Sequence, residues 1–145
     1  MTTWALAIAL TMLSWSIAGC TAQARSPEPV PVDRVECARC RMLISSESGS
    51  AQIVSGREDT RFYDDVGCLA ADWHSHGAQG TAFVRLSDGR WIDVKAGFYA
   101  RPASARTPMG SDVVAYDTPA DAAEADRDRR ARTWLEIVGL AEKGQ

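Results

Sequence analysis

The sequence predicts an α+β fold: two small units of hairpin and helix packed together, closed by a C-terminal helix. Two observations carry this. Short runs rich in β-branched and aromatic residues lie between turn signals, and they alternate with segments of helical periodicity that open on good cap residues. "AQIVSG" and "TRFYDD" read as a first hairpin, bounded by Gly56 and by Glu58 and Asp59. "DDVGCLAADWHSHG" offers an aspartate as N-cap, sets Val66, Leu69, Ala70 and Trp73 at helical spacing, and stops at Gly77. In "SDGR", Asp88 and Gly89 form a turn between strands near Ala82 to Leu86 and Arg90 to Ile92, and "DVVAYD" supplies a further strand. Thr118 as N-cap and Pro119 at the first helical position then open a C-terminal helix through "ADAAEADRDRRARTWLEIVGLAEK". The order hairpin, helix, hairpin with strand, helix repeats a topology, and the junction of two such units is a common place for a ligand.

The chain has 145 residues and a net charge of −3, which suits one small domain preceded by a targeting segment. Nucleic acid is a poor partner for it, because the densest basic run, "RDRR" (Arg127 to Arg130), is interleaved with acids and reads as a solvated helix face. Residues 1–19 contain no charged side chain and are mostly apolar, as in the core of a secretory signal. "SIAGC" resembles the lipobox of bacterial lipoproteins, which makes Cys20 the expected lipidation site and new N-terminus. "MTTW" departs from that pattern in lacking Lys or Arg. Residues 20–31, with Pro27, Pro29 and Pro31 in alternation, read as an extended tether, and residues 32–145 as the folded domain. Two acyl chains suffice for stable anchoring. Thr21 after the cysteine favours the outer membrane, so the expected location is the periplasmic face of a bacterial membrane, lipid-anchored.

Setting Cys20 aside leaves Cys37, Cys40 and Cys68, an odd number for an oxidising compartment, where structural frameworks use even counts. "CARCRM" places a thioether beside two thiols. Such soft donors select Cu(I) over harder divalent ions. In an extended strand Cys40 and Met42 would share one face and make half a site. Met109 in "ARTPMGSD" is the expected complement, because Pro108 and Gly110 hold it in a defined turn instead of on a periodic apolar face. Methionines ordinarily fill core gaps, and it is the combination with Cys40 that argues for ligation. Cys68, on an apolar helical segment, reads as core. His74 and His76 are two apart, share no helix face, and suit the negative end of the helix dipole.

"CARCRMLIS", "AQIV", "RFYDDVGCLAADW", "WIDVKAGFYA" and "TPMGSDVVAYDTPADAAEA" together resemble the NosL family, lipoproteins encoded with the maturation machinery of nitrous oxide reductase. The ordered series C-x-M, F-x-D-D-x-G-C, W-x-D and P-M-G runs from about Glu36 to Glu124. The resemblance implies two ββαβ-like units, a Cu(I)-binding metallochaperone that is not an enzyme, and delivery of copper to a membrane copper/sulfur maturation complex and apo nitrous oxide reductase. It carries Cys40, Met42 and Met109 over as metal ligands, and Cys37 as a helper.

Two other classes compete with this reading. A thiol-disulfide or organometal-processing protein would use Cys37 and Cys40, since C-x-x-C spacing lowers a thiol pKa, but redox pairs of this kind normally open a helix. A structural zinc site from Cys37, Cys40, Cys68 and a histidine lacks a second closely spaced ligand pair. Delivery of copper to another copper enzyme, such as a terminal oxidase, is the variant within the leading class.

Overall fold

The computed structural model describes residues 25–143 apart from 57 and 78, so the signal segment and Cys20 lie outside the described residues. Its elements are β1 (Ala51–Val54), β2 (Arg61–Tyr63), α1 (Val66–His76), β3 (Thr81–Arg85), β4 (Trp91–Asp93), β5 (Phe98–Ala100), β6 (Val114–Tyr116), α2 (Pro119–Ala125) and α3 (Trp134–Lys143). The fold is α+β, with a four-stranded antiparallel sheet in the order β2-β1-β3-β4 and a two-stranded sheet of β5 and β6. No helix among the described residues is long and apolar enough to cross a membrane.

The same path is traced twice. In the first unit β1 and β2 form a hairpin, α1 follows, and β3 returns to pair with the free edge of β1, Ala51 facing Tyr63 on one side and Val84 on the other. In the second, β5 and β6 pair, α2 follows, and the chain returns as a single bridge in which Tyr99 and Arg132 exchange N–H···O bonds of 2.8 and 2.9 Å. The hairpin around Asp88 and Gly89 extends the first sheet and does not open the second unit. β5, unread in the sequence, takes that role.

β1 is buried at all four positions, so both faces of the sheet are covered there. Gln52 is fully buried, and its amide is satisfied by the backbone of Glu28, from which it accepts at 2.8 Å and to which it donates at 2.9 Å. Val30 is buried in the same core. The last residues of the expected tether are therefore part of the packed fold, because the alternative would leave a buried amide without partners.

The expected single C-terminal helix is two. α2 ends at Asp126, whose carboxylate is enclosed by the backbone N–H groups of Arg101, Asp128 and Arg130 and by the Arg132 guanidinium. Burial alone would raise that acid, but these donors hold it at about 2. Arg129 turns the chain through a positive φ of 57°. α3 then restarts after Thr133, whose N–H and hydroxyl both reach the Glu136 carboxylate at 2.8 and 3.0 Å. α3 lies on α1, where Trp134 meets Trp73 edge to face at 5.5 Å between ring centroids and packs against Tyr99 at 5.7 Å.

Candidate metal centre

"CARCRM" folds as a tight turn. Glu36 bridges Leu43, the Cys37 N–H bonds to the Met42 carbonyl at 2.8 Å, and the Arg41 N–H returns to the Cys37 carbonyl at 3.0 Å. Arg41 has a φ of 66°, which breaks any extended run through Cys40 and Met42. The expectation that these two share a strand face is corrected accordingly. Met42 stands 52% exposed and is not among the residues of the cleft described below. The C-x-x-C pair lies on this turn and opens no helix. The Ala38 N–H bonds to the Phe62 carbonyl at 2.8 Å, which pins the turn to β2 just before Asp64.

Asp65 caps α1 in extended conformation (φ −149°, ψ 163°) and accepts from the Cys68 N–H at 2.7 Å. Cys68 is thereby placed in the first helical turn, with Asp64 immediately before the cap. Turn and helix start converge, and one ligand atom from each of Cys37, Cys40, Asp64 and Cys68 lies within 4.8 Å of every other. Cys37 and Cys68 are buried, Cys40 is half-buried, and all three are free thiols.

The electrostatics concentrate negative charge on one sulfur. The Cys68 thiol donates to Cys37, burial opposes, and backbone N–H groups of Cys40, Asp64 and Arg39 add to the stabilisation, bringing Cys37 down to about 4. Cys68 is pushed up strongly by holding that bond and by burial. Burial chiefly raises Cys40, while burial and the neighbouring Cys37 charge raise Asp64 to about 6. One thiolate thus sits beside three donors that hold their protons more tightly than usual. A cation supplies the positive charge that lets all four ionise together, so the donor set fits a metal ion.

The Met109 loop is fastened to this centre by α1. The Thr107 hydroxyl donates to the second Asp65 oxygen at 2.8 Å and accepts from the Asp112 N–H at 3.0 Å. Gly67 lets the loop approach, since a Cβ there would fall 2.4 Å from Ser111 Cβ. Gly110, with φ of 69°, completes the turn. Met109 and Leu140 stand at a cleft of about 590 Å³ whose lining also includes Cys40 and the buried Cys68.

Of the cluster, Asp64 escaped the sequence reading, and Cys68 reads from sequence as core, with ligation only in the alternative zinc site. The signal was present in "DDVGC", because an aspartate cap fixes the third residue after it in the first turn of the helix. Neither histidine joins the cluster. His76 pairs with Asp72 at 3.1 Å, and Asp72 is held by the Tyr63 hydroxyl at 2.6 Å and Arg61 at 2.9 Å. No family model, curated protein or solved structure matches the chain.

Proposed function

We propose that this protein is a carrier of Cu(I), a metallochaperone and not an enzyme, lipid-anchored through Cys20 at the periplasmic face of a bacterial membrane. Its recipient in this reading is the maturation apparatus of nitrous oxide reductase, as the resemblance to the NosL family implies. The single observation that supports it is the convergence of three free thiols within 4.8 Å, two of them on an open cleft that Met109 also lines. Sulfur donors suit a cuprous ion, and an open side suits an ion that must leave. The proposed ligand set is Cys37, Cys40 and Cys68, with Met109 at the mouth. Cys37 moves from helper to member, and Met42 stays outside.

Asp64 favours a second reading. A carboxylate is a hard donor, and three cysteines with one aspartate make a complete tetrahedral set for Zn²⁺. The two readings separate under anaerobic loading with each ion, followed by competition with a strong chelator for that ion. The copper reading expects one retained Cu(I) per chain, lost in Cys40→Ser and weakened in Met109→Leu, with zinc stripped readily. Retained zinc together with stripped copper overturns it.

A further inference from the structure

We propose that the cleft beside the thiols binds a small organic carboxylate, its anionic end on Arg39 and Arg101 and its apolar body against Val113, Ile137 and Leu140. The cleft is far too large for an ion alone. At about 590 Å³ it falls in the range of small-molecule sites, whereas one water occupies about 30 Å³ of liquid.

Its charge is the second observation. Arg61, Arg85, Arg90, Arg127, Arg130 and Arg132 each pair with a carboxylate, but neither Arg39 nor Arg101 has an acidic partner among the described residues. The Arg101 Nε–H is buried without any acceptor. A buried donor left unmet is costly, and a carboxylate is the acceptor a guanidinium fits best. Arg101 is also held in place, its backbone N–H bonded to Asp126 at 2.8 Å. The one acid lining the cleft, Asp65, has both oxygens engaged, by the Cys68 N–H and the Thr107 hydroxyl. The first turn of α1, through Gly67 and Cys68, adds the positive end of a helix dipole. An anion therefore meets two guanidinium groups that have no acidic partner among the described residues, and α3 and Val113 offer its body an apolar wall.

The test uses the full chain as purified, without added metal, so its outcome is independent of which ion the thiols hold. Binding of 3-phenylpropionate and of its uncharged amide is followed by NMR shifts of the Ala70, Ala71 and Ala141 methyls, all on the cleft. The acid is expected to bind at least about tenfold more tightly than the amide, the factor expected of a charge-assisted pair. Arg101→Gln should erase that preference, and the exposed Arg39→Gln should reduce it without affecting the fold. Equal binding of acid and amide, no shift at these methyls up to millimolar acid, or an unchanged preference in both variants would each overturn the proposal.

Discussion

The approach of the Met109 loop to α1 is tested most directly by Gly67→Ala. Gly67 occupies the second position of α1, and in an isolated helix alanine there would be favoured by about 1 kcal/mol. Here the new methyl lands 2.4 Å from Ser111 Cβ, 2.9 Å from Ser111 Oγ and 3.2 Å from Asp65 Oδ1. Overpacking of this kind costs about 1–3 kcal/mol. Relief by moving the loop strains the Thr107 to Asp65 hydrogen bond, which has a charged acceptor and contributes about 1.5–3 kcal/mol. The opposing terms leave a net loss of about 0.5–2 kcal/mol, read as a lower urea midpoint with unchanged m-value. In Gly67→Ala with Ser111→Gly the clash is gone, so the double variant should recover most of the loss, a coupling of at least about 0.5 kcal/mol. Cu(I) affinity should follow the same pattern, falling in the single variant as Met109 moves and returning in the double. A Gly67→Ala protein as stable as the parent, or more so, would refute the claim that loop 107–111 is seated on α1.

Three further outcomes follow from the same contacts. Cys68→Ser should weaken Cu(I) binding at least about tenfold, a loss of about 1.4 kcal/mol, while Met42→Leu should leave it nearly unchanged, both measured by chelator competition. Asp126, held at about 2, is charged in the native state at pH values where the unfolded chain's carboxylate, near 3.9, takes up a proton. Its contribution of about 2 kcal/mol is thus fully present above roughly pH 4 and lost as pH falls through about 2, an acid sensitivity that urea titrations at pH 7 and pH 3 would reveal and Asp126→Asn should blunt. The same variant should lose about 3 kcal/mol at pH 7, because the buried Arg132 is left with only its 3.3 Å contact to the exposed Asp128.

Local chemistry made much of the fold legible. The Asp65 cap and the Gly77 stop bound α1, the Asp88–Gly89 turn joins β3 to β4, and Thr118 with Pro119 opens α2, because each depends on side-chain and backbone interactions within a few residues. The break after Ala125 was hidden for the opposite reason. "ADRDRRAR" is mostly Ala and Arg, good helix formers, and the burial of Asp126 among donors from Arg101 and Arg132 makes leaving the helix favourable.

At the site, the sequence alone determined that thiols outnumber pairs and that Met109 lies in a turn and not on a periodic apolar face. The tertiary structure decided which atoms meet. Cys68 reads as a core cysteine from its neighbours, and it is buried, but the cap that starts α1 and the Ala38 to Phe62 bond that seats the turn put its sulfur beside Cys37. Met42 reads as a partner of Cys40 by alternation, and a single positive φ at Arg41 sends it outward. Periodicity reports the face a residue shares along one element; the distance between a turn at Cys40 and Asp64, 24 residues later and just before the α1 cap, is set by packing between elements, which no local pattern encodes.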